Sequence, residues 1–194
     1  MPRDDHLMSA MNPQDQQLQD LHESIMRCKR CSLHETRLNA VPGEGLSNAS
    51  ILFIGEAPGA REDETGRPFV GRSGQLLTRL LRDVGIARDE VFITSILKCR
   101  PPNNRTPLRS EVEACREHLE RQIEMINPRV VVLLGGVAIS SIIGPWKVSE
   151  AHGSFFEGDE DRMYFMTFHP AAALRFPKTL ELMTEDLKKL NEWL

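Results

Sequence analysis

Two short, almost wholly apolar runs constrain the fold of this chain more than any other feature. They are SILFIG, which begins at Ser50, and RVVVLL, which begins at Arg129. A strand that is apolar on both sides is buried on both faces, as in parallel sheets covered by helices. Further strands are predicted from Val91 to Leu97 and in MYFMTFHP, and segments of helical periodicity lie between the strands. The alternation predicts an α/β fold, a three-layer α/β/α sandwich with a central, mostly parallel four-stranded sheet.

The length of 194 residues suits a single domain that spans residues 1–194. Residues 1–20 are polar and rich in Gln, which indicates a frayed N-terminal segment at the start of an amphipathic helix from Pro13 to Met26. No apolar run approaches the ~20 residues that cross a bilayer, so no membrane partner is expected. The N-terminus lacks the apolar core of a signal peptide, and the expected location is cytoplasmic. No apolar stripe suggests self-association, so a monomer is predicted.

The net charge of −4 excludes a globally basic coat for nucleic acid but leaves room for a local basic surface. Such a surface is predicted in the loop KCRPPNNRTPLR, which has no acidic residue between positions 95 and 110. Its cations either contact phosphate groups or are ordinary solvated loop charges. They are Lys98, Arg100, Arg105 and Arg109.

The four cysteines are spaced as a C-x-x-C pair, Cys28 and Cys31, followed far downstream by Cys99 and Cys115. Disulfides rarely persist in a reducing compartment, so the thiols suggest a metal site rather than a covalent framework. Four thiolates suit a zinc ion or an iron–sulfur cluster, and the wide gap in the second pair favours a cluster. The simpler alternative is two buried, unreactive thiols beside a chance C-x-x-C. Three histidines that each lie near one of these cysteines in the sequence are expected at the surface: His22, His34 and His118.

Polar residues follow the predicted strands, where open α/β sheets bind their ligands. GEAPG places Glu56 after the first strand, as a general base, an electrostatic stabiliser, or merely a cap or salt-bridge partner. His169 ends the last predicted strand and can present an imidazole to a ligand or serve as a structural residue. Arg175 follows it and can hold a phosphate.

These motifs together resemble the family-4 uracil-DNA glycosylases of bacteria and archaea. The resemblance rests on GEAPGAREDETGRPFVGRSGQLL, KCRPPNNRTP, HPAAALR and the cysteine spacing, and it runs from about Cys28 to Arg175. It implies a DNA repair enzyme that flips a deaminated base, uracil above all, out of DNA and hydrolyses the N-glycosidic bond to leave an abasic site. It also implies that the four cysteines hold a [4Fe-4S] cluster.

The resemblance assigns roles to residues of the base pocket. Glu56 is expected on the sugar side, where it positions water or stabilises the developing cation. His169 is expected to contact the uracil O2, where negative charge accumulates. Phe69 is expected to stack on the base, and the backbone amide of Ala57 to donate to it.

The resemblance also implies contacts to the rest of the DNA. Arg100 and Arg105 lie in the basic loop, and Arg175 is expected to hold a phosphate next to the flipped nucleotide. HPAAALR is expected to enter the minor groove, with the apolar wedge at Ala173 or shifted to Leu174. The sequence identifies no protein partner such as a sliding clamp.

One departure from the family concerns base selection, because Ser95 stands where the family has an asparagine. A single hydroxyl cannot match both the O4 and the N3–H of uracil as an amide does. The consequences left open are slower uracil release, recognition through water, or a pocket retuned to hypoxanthine or xanthine. The rivals from other classes are a non-catalytic DNA-binding iron–sulfur protein and an electron-transfer protein. The presence of Glu56, Phe69 and His169 together argues against both.

Overall fold

The computed structural model describes residues 12–158 and 162–194. The strands within these residues are β1 (Glu44–Gly45), β2 (Ile51–Gly55), β3 (Phe92–Ser95), β4 (Val130–Leu134), β5 (Ser154–Glu157) and β6 (Met163–Thr167). They form one sheet in the order β1-β3-β2-β4-β6-β5. The middle four strands run parallel, while β1 and β5 pair antiparallel at the two edges.

The predicted α/β fold with a mostly parallel sheet is confirmed, but the predicted count of four strands is wrong. The four parallel strands are the predicted ones, and two edge strands bring the sheet to six in the described residues. β1 has only two residues, and no side chain of β5 is fully buried. Neither strand therefore carries the continuous apolar run that marks a strand covered on both faces.

Helices cover both faces of the sheet. In the described residues they are α1 (Pro13–Arg27), α2 (Ala60–Thr65), α3 (Arg72–Asp83), α4 (Arg109–Ile126), α5 (Gly136–Ile142), α6 (Val148–Ala151), α7 (Pro170–Ala173) and α8 (Pro177–Trp193). Short 3-10 helices span Ser32–Glu35, Arg88–Glu90 and Pro102–Asn104. Helices α3, α7 and α8 pack on one face, and α1, α4, α5 and α6 pack on the other. The predicted three layers are thus present.

The alternation of side chains along β2 explains its apolar sequence. Phe53 packs with the leucines of α3 and α8, such as Leu77, while the next residue, Ile54, packs against α4 at Leu119 and Ile123. Successive side chains of a strand point to opposite faces, so a strand between two helix layers needs apolar residues at every position. The covered sheet leaves its carboxyl-end edge for polar chemistry.

The first described helix is anchored rather than frayed. The Gln14 side chain donates to the backbone oxygens of Ser47, at 2.9 Å, and Met125, at 2.7 Å. Leu18, on the same helix, is buried in the core. The expectation of fraying is therefore wrong for residues 13–20. Residues 1–11 of the predicted frayed segment lie outside the described part of the chain. No helix among the described residues is both long and apolar enough to cross a membrane.

Candidate functional site

A cavity of about 460 Å³ opens at the carboxyl ends of β2 and β3 and beside the loop that follows β6. Strands of a parallel sheet end at the same edge, so residues distant in sequence meet there. Seven of the predicted site residues line it: Glu56, Ala57, Phe69, Ser95, Arg105, His169 and Arg175. The expected base-pocket residues therefore share one cavity. Arg100, Ala173 and Leu174 do not line it.

The Phe69 ring forms one wall of this cavity. Its centroid lies 5.8 Å from that of His169, and it covers Gly55 so closely that a Cβ there would lie 2.5 Å from the ring. Only glycine leaves room for the aromatic face at the end of β2. Phe69 has a φ of +50°, a left-handed conformation that is rare for a bulky side chain. The backbone around it must therefore be held by other groups.

Two side chains that sequence analysis missed hold this backbone. One oxygen of the Glu62 carboxylate accepts from the amides of Val70, at 2.9 Å, and Gly71, at 2.8 Å. On the other side, Arg88 donates to the carbonyl of Phe69 at 3.2 Å. Glu62 belongs to an acidic run after GEAPG, and no local signal separates it from its neighbours. Ser73 and Asn104 also line the cavity and were missed for the same reason.

His169 presents a neutral imidazole to the cavity. Its Nδ1 accepts the backbone amide of Ala171 at 3.1 Å, so the proton of the neutral ring lies on Nε2. Burial lowers the pKa of His169 to about 4, so the ring is uncharged at neutral pH. Gly135 has a φ of +90° and packs against His169. A Cβ on residue 135 would lie only 2.8 Å from the His169 Cβ, so the absence of a side chain there lets the histidine come this close. The ring can thus act as an N–H donor.

Glu56 offers an unpaired carboxylate beside this donor. Burial raises the pKa of Glu56 above its ordinary value. Within residues 12–158 and 162–194, no group donates a hydrogen bond to its carboxylate, while its backbone carbonyl accepts from the Leu97 amide at 3.1 Å. In the same part of the chain, the amide of Ala57 donates to no acceptor. The loop therefore supplies one acceptor and one donor that a ligand can use.

Ser95 is buried and lines the cavity, and its hydroxyl is unpaired among the described residues. Its carbonyl accepts from the Lys98 Nζ at 2.8 Å, and this ammonium also donates to Thr94 Oγ1 at 2.5 Å and Gln122 Oε1 at 2.6 Å. Lys98 is only 1% exposed, and burial lowers its pKa to about 7. Its predicted place in a phosphate-facing surface is therefore wrong, because its side chain turns inward behind β3.

The remaining cations of the basic loop differ in their freedom to bind phosphate. Arg105 forms a bidentate ion pair with the buried carboxylate of Glu111, at 2.9 and 2.6 Å, so part of its charge is used to hold the loop. Arg100 donates to Asn104 Oδ1 at 2.8 Å and has no carboxylate partner among the described residues. Arg175 is exposed at the cavity wall and, in the same residues, unpaired. It is the guanidinium most available to an anion at this wall.

The structure separates the two candidates for the apolar wedge. Ala173 is 4% exposed and packs in the core with α3 and α8, so it cannot enter a groove of DNA. Its prediction as a wedge is wrong because the turn of α7 directs it inward. Leu174, the next residue, is 42% exposed and remains a candidate.

The four cysteines line one small cavity on the side of the molecule where α1, α4 and the loop after β3 meet. Cys28 and Cys31 are partly exposed, whereas Cys99 and Cys115 are buried. Burial raises the pKa of the Cys115 thiol to about 11, so a thiolate there needs a strong positive charge nearby. The Arg37 guanidinium donates to Cys99 Sγ at 2.9 Å.

The four cysteines line this cavity without converging on the position of a single metal ion. No group of three or more His, Cys, Asp or Glu side chains in the described residues is compact enough to hold one metal ion. A zinc ion draws its thiolates to about 2.3 Å from one point, while a cluster holds its cysteines further apart. His118 also lines the cavity, is buried, and has no hydrogen-bond partner on either ring nitrogen. The prediction of a surface histidine is wrong at this position, because that face of α4 turns inward.

Comparisons with known proteins give one matching family model and several similar proteins. The model of the Uracil DNA glycosylase superfamily matches residues 42–194. A protein of Pyrobaculum aerophilum named Type-4 uracil-DNA glycosylase is 47% identical over 178 residues, which cover 88% of this chain and 91% of the relative. Proteins of the same name from Sulfurisphaera tokodaii and Thermotoga maritima are each 42% identical, over 90% and 95% of this chain and 84% and 98% of their own lengths.

Proposed function

This chain belongs to the uracil DNA glycosylase superfamily, with its type-4 members as relatives over most of its length, and we propose that it removes uracil from DNA. It is a DNA glycosylase of the uracil type, a hydrolase of N-glycosidic bonds, and it acts in DNA repair. The observation that carries the proposal is the shared pocket of Glu56, Phe69 and His169. An aromatic face, a neutral N–H donor and a free carboxylate together suit a pyrimidine and its sugar.

We propose that the target nucleotide leaves the helical stack and enters the pocket, where its base stacks on Phe69. The His169 Nε2–H then donates to the base O2, and the Ala57 amide adds a second donor. As the C1′–N1 bond breaks, its electron pair leaves with the base, and negative charge gathers on O2. A donor already aimed at that oxygen stabilises the departing anion more than the bound base.

Glu56 acts on the other side of the scissile bond in this proposal. Its carboxylate stabilises the positive charge that develops on the sugar and positions a water molecule beside C1′. The water oxygen bonds to C1′, and the carboxylate accepts the proton that the water loses. The absence of a partner for this carboxylate among the described residues supports the role, because a salt-bridged group would be less available.

Ser95 supports a second candidate substrate class. Its hydroxyl faces the pocket unpaired among the described residues, and it is shorter than the asparagine of the family, so it reaches less far toward a pyrimidine edge. A pocket of this kind accommodates a larger deaminated base, hypoxanthine or xanthine. Uracil remains the first candidate because of the type-4 relatives.

For the DNA itself, we propose that Arg175 and Arg100 contact phosphates and that Leu174 enters the gap left by the flipped nucleotide. Arg105 contributes mainly by holding the loop against Glu111. A monomer in the cytoplasm, built as one domain, remains the prediction for the protein as a whole.

We propose that Cys28, Cys31, Cys99 and Cys115 hold a [4Fe-4S] cluster. Their common cavity and the similarity to type-4 uracil-DNA glycosylases support this assignment. Bound there, a cluster would tie the end of α1, α4 and the loop after β3 together, and no step of the proposed N-glycosidic hydrolysis involves it. Iron content and visible absorption of Cys99→Ser test it: loss of both is expected, and retention of both would refute the ligand set.

The function is tested by base release from oligonucleotides that carry uracil, hypoxanthine or xanthine, single-stranded and opposite each normal base. We expect the unaltered protein to release uracil and the Glu56→Ala control to lose this activity. Release of a purine alone, or of uracil only in Ser95→Asn, would assign the pocket to the second substrate class. Tight binding without release of any base would refute an enzyme and indicate a DNA-binding protein.

A further inference from the structure

The backbone of the Phe69 loop, residues 67–71, is held by hydrogen bonds to side chains outside the loop. Phe69 adopts the left-handed conformation, and the ring needs this conformation to lie over Gly55 and beside His169. An extended backbone at this residue would aim the ring elsewhere. The ring therefore keeps its position only while the carbonyls and amides on either side of it keep their hydrogen bonds.

Arg88 supplies two of these contacts from outside the loop. Its Nη2 donates to the Pro68 carbonyl at 2.7 Å, and its Nη1 donates to the Phe69 carbonyl at 3.2 Å. The same Nη1 donates to Thr78 Oγ1 at 2.9 Å, which ties the guanidinium to α3. The planar fork holds its two terminal nitrogens apart in fixed positions, so that each can bind one of two successive carbonyls.

These bonds distinguish Arg88 from an ordinary surface arginine. Its side chain is 19% exposed, and its nearest carboxylate, Glu44, lies 3.9 Å away and forms its short ion pair with Arg67 at 2.7 Å. Arg79 lines a shallow groove together with Arg88 and Phe69, but it is exposed and makes no hydrogen bond to the loop in the described residues. The two arginines therefore form a matched pair that differs in contact with the Phe69 loop.

We propose that Arg88 is a positioning residue for base binding, which acts by clamping the Phe69 loop so that the ring stays in place as a wall of the pocket. The proposal rests on the proposed function, in which Phe69 stacks on the flipped base. Stacking is present both in the bound state and in the transition state, so its loss weakens binding more than it slows the chemical step. The signature of the clamp is therefore a change in KM rather than in kcat.

The experiment measures kcat and KM for uracil release in Arg88→Met, Arg88→Lys and the control Arg79→Met. We expect Arg88→Met to raise KM about tenfold, in line with the contribution of base stacking, with little change in kcat. Arg88→Lys should recover part of this loss, since an ammonium can reach one of the two carbonyls. A folded Arg88→Met with unchanged KM, or an equal effect in Arg79→Met, would overturn the proposal.

A double-mutant cycle with Phe69→Ala decides whether Arg88 acts through the ring. In the Phe69→Ala background, Arg88→Met is expected to change KM by less than about twofold, because no ring is left to position. An equal loss in both backgrounds would overturn the clamp. If Arg88→Met does not fold, Arg88→Lys takes its place in the cycle.

A separate measurement keeps the clamp distinct from the proposed function. Hydrogen exchange in the free protein reports on the amides of Val70 and Gly71, which donate to Glu62. We expect faster exchange of these amides in Arg88→Met than in Arg79→Met, whether or not the protein releases uracil. Faster exchange without uracil release would support the clamp and refute only the proposed function. Equal exchange in the two variants would refute the clamp.

Discussion

Acidification is expected to destabilise this protein through His169. Burial lowers the pKa of its imidazole to about 4 from an ordinary value of 6.5. The unfolded chain exposes the ring to water and therefore binds the proton first as the pH falls. The destabilisation is absent above the unfolded pKa, grows as the pH falls below it, and is complete once the pH is below the folded pKa.

The size of the effect follows from these two pKa values. At about pH 5, about thirty unfolded chains carry the proton for each one that does not, whereas only about one folded chain in ten carries it. Each tenfold change in such a ratio is worth about 1.4 kcal/mol. The free energy of unfolding should therefore fall by about 2 kcal/mol between about pH 7 and about pH 5 because of this ring alone.

Urea unfolding of the unaltered protein and His169→Asn at both pH values isolates this contribution. Asparagine keeps a side-chain oxygen for the amide at the start of α7, so the helix cap is retained. Other titrating groups, such as His22, are common to both proteins and cancel in the comparison. Equal losses in the two proteins would mean that the folded imidazole titrates normally, which would refute the lowered pKa of His169.

Three further perturbations test the rest of the site. Burial raises the pKa of Glu56, so base release should fall as the pH drops through a midpoint above the ordinary 4.5. Glu56→Gln should remove this acid limb of the pH profile and lower kcat by about 10²- to 10⁴-fold. An acid limb that is unchanged in Glu56→Gln would belong to another group. Lys98→Met leaves three buried oxygens without the Lys98 donor and should lower the free energy of unfolding, measured in urea, by about 2 kcal/mol. The exposed control Lys178→Met should leave this free energy almost unchanged. Equal free energies of unfolding for the two variants would show that the buried ammonium contributes nothing. Gly55→Ala places a Cβ 2.5 Å from the Phe69 ring and should raise KM for uracil release in a folded protein, whereas an unchanged KM would mean that the ring does not contact the base.

The parallel strands could be predicted because their signal is local. A strand between two helix layers must be apolar at successive positions, as Ile51–Gly55 and Val130–Leu134 are. Edge strands meet no such requirement, and Ser154–Glu157 therefore escaped prediction. Because parallel strands end at one edge, the pattern also predicted that Glu56 and His169 would lie at that edge, while the place of Ser95 came from the family resemblance.

The direction of a side chain in a loop or helix could not be predicted in this way. Lys98 and Arg100 are both basic and two residues apart, yet the first is buried behind β3 and the second is partly exposed. Ala173 and Leu174 are both apolar neighbours, and only the second faces solvent. Local composition is the same in each pair, so the difference arises from the turn of the backbone and from what packs against it.

By itself, therefore, the sequence determined the order of the four parallel strands along the chain, the edge at which the pocket forms, and, with the family resemblance, seven of the residues that line it. Tertiary structure alone decided which charges face that pocket and how Arg88 and Glu62 hold the Phe69 loop. The physical reason is range. Strand and helix patterns depend on neighbours a few residues away, whereas a clamp or a ligand set depends on where distant backbones come to rest.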